Sequence, residues 1–135
     1  PFSWRLDCHA AARITGPLLW RDMRSGDQVC RPEELGDVIL GRKDCAASYH
    51  IAVVVDDAAQ GVTHVSRGED LFPVTGIHRT LQALLGLPVP QWYHHRLVKD
   101  ASGKRLAKRD RSLSLQEMRA AGMRPEDVFR LMRES

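Results

Sequence analysis

The sequence predicts an α/β fold, a mostly parallel sheet with flanking helices, and three observations carry that prediction. Tyr49-His50-Ile51-Ala52-Val53-Val54-Val55-Asp56-Asp57 is a continuous run rich in β-branched residues. Such a run is the pattern of a strand buried on both faces in a parallel sheet covered by helices. Ile77, Leu81, Leu84 and Leu85 recur at helical spacing within Thr75–Leu85, just after a shorter strand tract at Val62–Gly68. Gly86, Pro88 and Pro90 then stop the helix, and Trp92–Val98 is a further strand candidate.

The remaining elements follow from local pattern. Phe2-Ser3-Trp4-Arg5-Leu6 alternates apolar and polar residues, as a half-buried strand does. Cys8–Ala12 and Pro32–Leu35 read as short helical pieces. Gly16-Pro17 and Arg24-Ser25-Gly26-Asp27 are turns that flank a second strand, Leu18–Asp22. Val38–Leu40 is a short apolar strand ended by Gly41. Asp70 is placed to cap the helix over Thr75–Leu85. Ser114 and Glu117 have capping-box spacing for a helix ending at Gly122, and Pro125 occupies a permitted first-turn position of a last helix.

With 135 residues, 43% hydrophobic and 27% charged, the chain has the size and composition of one globular domain. Residues 1–95 hold 9 Lys/Arg against 11 Asp/Glu, whereas residues 96–135 hold 11 against 6. The basic C-terminal third suits an anionic partner such as ATP or tRNA. Cys8, Cys30 and Cys45 are odd in number and widely spaced, so neither a disulfide framework nor a zinc site is indicated. A reducing, cytoplasmic setting is expected. No apolar run reaches membrane length and no signal peptide opens the chain, so no membrane partner is expected. The opening Pro1–Asp7 lacks an initiator Met and reads like mid-domain sequence, so a fragment is expected.

Three features recur in an order that suits amino-acid activation: a tyrosine at the mouth of a strand, an arginine at the tip of the next, and a lysine-rich loop. Tyr49 offers a hydroxyl to an amine or carboxylate. Arg67 can hold a carboxylate through two parallel hydrogen bonds. Lys104, Arg105, Lys108, Arg109 and Arg111 cluster after the Ser102-Gly103 turn, where a mobile cation can neutralise phosphate charge as it develops. Asp56-Asp57 and His94-His95 are adjacent pairs whose side chains diverge on a strand, so neither is read as a metal or acid–base couple. Trp4, Trp20 and Trp92 are expected to pack, as are Met118, Met123 and Met132.

The strings Ser48–Asp57, Gln60–Leu71 and Gly103–Arg109 resemble the glutamyl-tRNA synthetase family over essentially the whole chain. The resemblance is nearest to its short branch, which lacks an anticodon-binding domain. It implies the C-terminal half of a class I Rossmann-type catalytic domain. Residues 1–47 would be a connecting β-rich region, 48–111 the second half of the nucleotide-binding fold, and 112–135 C-terminal helices. It implies ATP, with Mg2+, as the activating nucleotide, and glutamate as the amino acid. Glutamate would pass to the queuosine base of tRNA(Asp), and a monomer is expected. Tyr49 and Arg67 match the family's glutamate-binding residues. Arg105-Leu106-Ala107-Lys108-Arg109 matches its "KMSKS" element, with Lys108 as the ATP-contacting lysine. Arg105 and Ala107 depart from that motif, which normally has lysine and serine there. The "HIGH" motif and the family's zinc site have no counterpart in this chain, so the isolated fragment is expected to be inactive. The alternatives are a trimmed glutamyl-tRNA synthetase that charges tRNA(Glu), and a non-catalytic tRNA-binding remnant.

Overall fold

A computed structural model describes residues 2–99 and 114–134, which form two compact units, Pro1–His94 and His95–Ser135. The larger unit begins with β1 (Trp4–Leu6), α1 (Cys8–Thr15), β2 (Leu19–Asp22) and β3 (Gly26–Val29). After a 3₁₀ turn at Pro32–Leu35 come β4 (Val38–Gly41), α2 (Tyr49–Ala59) and β5 (His64–Gly68). A second 3₁₀ turn, Glu69–Leu71, leads into α3 (Thr75–Leu85) and β6 (Gln91–His95). The smaller unit holds α4 (Leu115–Ala120) and α5 (Pro125–Glu134).

The fold is α/β with a mostly parallel central sheet, as the sequence predicts. Its strand order is β3-β2-β6-β5. β2 and β6 run parallel, with Asp22 opposite Trp92. The residue before β5 meets the start of β6, through the Gln91 N–H to Thr63 O bond of 2.9 Å. Near the other end Arg67 of β5 meets His94 of β6, so these two strands run the same way. β3 is an antiparallel edge that folds back on β2; the sequence predicts the turn at Arg24–Asp27 but not the strand that follows from it. β1 and β4 form a separate antiparallel ribbon. Gly41 fits closely there: a Cβ would lie 3.1 Å from the Trp4 ring and 3.2 Å from the Ala46 carbonyl oxygen, so a side chain would push these neighbours back by a few tenths of an ångström.

The largest departure is α2. Tyr49–Asp57 is not a strand buried on both faces; it belongs to an α-helix of 11 residues that starts after Ser48 in extended conformation. Only one stripe of it is buried. Val54 is 2% exposed, while its neighbour Val55 is 43% exposed, whereas a doubly covered strand would bury both. Val54 joins Cys8, Ile77 and Leu81 in the core, and Ile51, Val53, Leu6, Val38, Leu40 and Leu87 pack around them. Four β-branched residues cost a helix roughly 2 kcal/mol relative to alanine. Val54, fully buried, contributes roughly 1.5–3 kcal/mol, and Ile51 and Val53, partly buried, add to it. Burial of one face against the core therefore outweighs the local preference for extension.

Other boundaries moved for local reasons. α3 has the expected span, but Val74 and not Asp70 precedes it; Asp70 sits in the Glu69–Leu71 3₁₀ turn. Gly86 closes α3 at φ 65°, ψ 31°, and the Leu87 N–H reaches back to Gln82 O at 2.9 Å. That is the Schellman arrangement. β6 stops at His95 and does not run to Val98. Trp20 and Trp92 are buried and meet edge to face at 5.6 Å, but Trp4 is exposed and packs on Phe2. In the smaller unit Ser114 and Glu117 form the expected capping box. α4 ends at Ala120, before Gly122, and Met132 is exposed while Met118 is buried.

Candidate active site

The carboxyl ends of β2, β5 and β6 bring together side chains that lie far apart in sequence, and it is at such ends that open α/β sheets bind ligands. Asp22 is the last residue of β2, Arg67 lies one residue before the end of β5, and His94 is the inward-facing fourth residue of β6. Thr75 opens α3, and His78, three residues on, shares its helical face. Tyr49, the first residue of α2, closes the group. The tyrosine therefore stands at a helix start and not at a strand mouth.

Arg67 is the hub. Its Nε donates to Nε2 of His94 at 3.0 Å. Nη1 donates to Nδ1 of His78 at 3.1 Å and to the Tyr49 hydroxyl at 3.4 Å. Nη2 donates to Thr75 Oγ1 at 2.6 Å and to the Leu71 carbonyl at 3.4 Å. Five N–H donors thus meet five acceptors, the full capacity of a guanidinium.

This shell dictates the protonation of both histidines. His78 accepts from Arg67 through Nδ1, so its remaining proton sits on Nε2 and points to Nδ1 of His50 at 3.1 Å. Burial, reinforced by the charge of Arg67, holds the His78 pKa down at about 3. His50 is lowered for the same two reasons. His94 accepts from Arg67 through Nε2, which leaves Nδ1–H to donate to Asp22 Oδ2 at 2.7 Å. Asp22 is wholly buried, and burial works against its charge. Hydrogen bonds from His94 and from the backbone N–H groups of Ser25 and Arg24 outweigh that penalty and hold its pKa below the ordinary value. Burial also pulls the Arg67 guanidinium down, against the opposing pull of Tyr49, Asp57 and Asp70. Asp57 is pushed up by burial.

Of the residues singled out from sequence, Tyr49 and Arg67 come together. Lys108, Arg105, Leu106, Ala107 and Arg109 lie outside the described residues. The sequence reading missed Asp22, His50, Thr75, His78 and His94 as members of the site. His94 and His95 do diverge, as expected, but the inward one meets the arginine. The signal available was the alternation through β6, with Trp92 and His94 buried between exposed neighbours.

The family described as tRNA synthetases class I (E and Q), catalytic domain, matches residues 9–134. Over 132 residues the chain is 53% identical to the glutamyl-Q tRNA(Asp) synthetase of Rhodobacter capsulatus, a match that covers 95% of this chain and 48% of that protein. Over 99 residues it is 50% identical to the protein of the same name from Nocardia farcinica, covering 73% of this chain and 32% of the relative. The glutamate-tRNA synthetase structure from Elizabethkingia anophelis superposes with a TM-score of 0.59 at 27% identity, over 82% of this chain and 20% of that one. The chain thus spans less than half the length of these relatives. On the extent of the family match, this chain belongs to the catalytic-domain family of class I tRNA synthetases for E and Q.

Proposed function

We propose that this chain supplies part of the glutamate site, and the ATP-contacting loop, of an enzyme that activates glutamate with ATP and transfers it to the queuosine base of tRNA(Asp). The observation that carries the reading is the pairing of Arg67 with Tyr49 at the carboxyl end of the sheet. The two long contacts of Arg67, to Tyr49 and to the Leu71 carbonyl, lie one on each terminal nitrogen. A carboxylate replacing them would be held by two parallel charge-assisted bonds. In activation the α-carboxylate attacks the α-phosphorus of ATP, an anhydride forms and pyrophosphate leaves. The α-carboxylate must stay free to attack, so the carboxylate held by Arg67 is the side-chain one. That assignment also supplies selectivity, since glutamine presents no second anionic oxygen.

The ATP role of Lys108, with Arg105, Leu106, Ala107 and Arg109, rests on sequence pattern, with Mg2+ expected beside the nucleotide. The basic balance beyond residue 95 is consistent with nucleotide and tRNA as partners. The chain covers 48% of its Rhodobacter relative, and the 135 residues by themselves are proposed to lack adenylation activity.

The test supplies the chain with the N-terminal half proposed to precede it, then measures glutamate-dependent ATP–pyrophosphate exchange and transfer to tRNA(Asp) and tRNA(Glu). Arg67→Lys is expected to raise the glutamate KM at least tenfold, with the ATP KM little changed. Transfer to tRNA(Glu) in place of queuosine-bearing tRNA(Asp) would point to the trimmed glutamyl-tRNA synthetase. A glutamate KM unaffected by Arg67→Lys would end the site assignment. Exchange by the 135 residues alone at the rate of the completed protein would refute the proposed inactivity.

A further inference from the structure

Arg67 has a side that cannot reach a carboxylate and is nonetheless built with care. Its Nε edge is turned to His94, which is 2% exposed, and His94 is anchored on Asp22, which is fully buried. Asp22 is itself held. Oδ1 accepts from the backbone N–H groups of Arg24 at 3.0 Å and Ser25 at 2.8 Å, and Oδ2 accepts from the His94 backbone N–H at 3.3 Å as well as from the ring. The ring of His94 is walled by Trp20 and Phe72 at centroid distances of 5.9 and 5.0 Å. The carboxylate, the ring and the guanidinium therefore stand in line, in a place where water does not compete.

We propose that His94, fixed by Asp22, is a positioning residue for Arg67: it clamps the Nε edge so that the two terminal nitrogens face the substrate carboxylate. The inference rests on the reading of Arg67 as the glutamate-binding arginine. Its chemical content is a tautomer. A free imidazole carries its proton mainly on Nε2, which here would set two N–H groups against each other at 3.0 Å. The Asp22 carboxylate draws the proton to Nδ1 and leaves Nε2 as an acceptor, so that the guanidinium meets a lone pair. The arginine then waits in one orientation and loses less freedom when the ligand arrives. Neither Asp22 nor His94 needs to touch glutamate for this to operate.

The test has two arms. In the chain completed with the proposed N-terminal half, His94→Gln keeps an acceptor where Nε2 stood, whereas His94→Asn keeps only the donor facing Asp22. His94→Asn is expected to raise the glutamate KM about tenfold and His94→Gln no more than about threefold, with the ATP KM moving less than twofold in both. Equal glutamate KM values for the two variants, or parallel rises in the glutamate and ATP KM, would overturn the proposal. If Arg67→Lys raises the glutamate KM and His94→Asn does not, positioning fails while the glutamate reading stands; if neither does, the glutamate reading fails first. The second arm needs no substitution. Nitrogen-15 NMR of the histidine rings in the 135-residue chain at neutral pH is expected to find His94 neutral with its proton on Nδ1. A proton on Nε2 would overturn the proposal whatever the kinetics say.

Discussion

The Tyr49 hydroxyl and Nη1 of Arg67 stand 3.4 Å apart although 18 residues and a change from helix to strand separate them. α2 and β5 must pack correctly before that contact exists, so it reports the assembly of the site. The tyrosine is 49% exposed and Arg67 is half-buried, so this contact lies on the solvent side of the arginine's shell.

Replacing Tyr49 with Phe removes the hydroxyl that the Arg67–Tyr49 contact leaves free to bond the proposed glutamate ligand once its carboxylate takes that place, and keeps the ring that packs on His78 at 5.6 Å. One such bond contributes about 1 kcal/mol. The glutamate KM of the completed enzyme should therefore rise about fivefold, with thermal stability nearly unchanged. Steady-state kinetics with varied glutamate checks this, and an unchanged KM would remove Tyr49 from the site.

His78 makes stability depend on pH in a stated direction. Its folded pKa of about 3 lies below the ordinary value of 6.5, so the unfolded chain binds the extra proton between those limits. Stability from this group is complete above pH 6.5 and is lost as pH falls toward 3. The ceiling is about 5 kcal/mol at 1.36 kcal/mol per unit. His50, also lowered, acts with the same sign. The groups facing His78 are Arg67, His50 and His94, with the Tyr49 ring edge-on. Urea midpoints at pH 7 and pH 5 should fall steeply for the unsubstituted chain and less for His78→Gln. Equal slopes would show that His78 is not the proton acceptor.

Val55 tests the helical assignment of α2 directly. It is exposed on a helix, where alanine is favoured over valine by about 0.5 kcal/mol. Val55→Ala should stabilise the chain by that amount in chemical denaturation. In a strand buried on both faces the same change would destabilise by well over 1 kcal/mol, so even the sign decides.

Gly86 ends α3 in the left-handed region at φ 65°, and a Cβ there would meet nothing within 4 Å. The penalty for alanine is therefore conformational alone, about 1 kcal/mol. Gly86→Ala should lower the unfolding free energy by that amount and leave the proposed glutamate binding untouched. A loss above 3 kcal/mol would mean that packing, and not backbone strain, governs the position.

The chain's own residues carried the β5–α3–β6 succession, because glycine and proline stops and the spacing of Ile77 and Leu81 act over a few positions. The Ser114–Glu117 cap was legible for the same reason. Tyr49 and Arg67 were legible as a pair through strings that resemble a family. The state of α2 was not legible: β-branched residues favour extension by only tenths of a kcal/mol each, and the decision fell to which face met the core. Nor was the acceptor shell of Arg67, whose members come from β6, α2, α3 and the 3₁₀ turn at Leu71, nor the Asp22–His94 pair behind it, 72 positions apart. Sequence determines what each side chain can donate or accept. Only packing, which removes water and brings distant groups within 3 Å, decides which donor meets which acceptor and where each histidine keeps its proton.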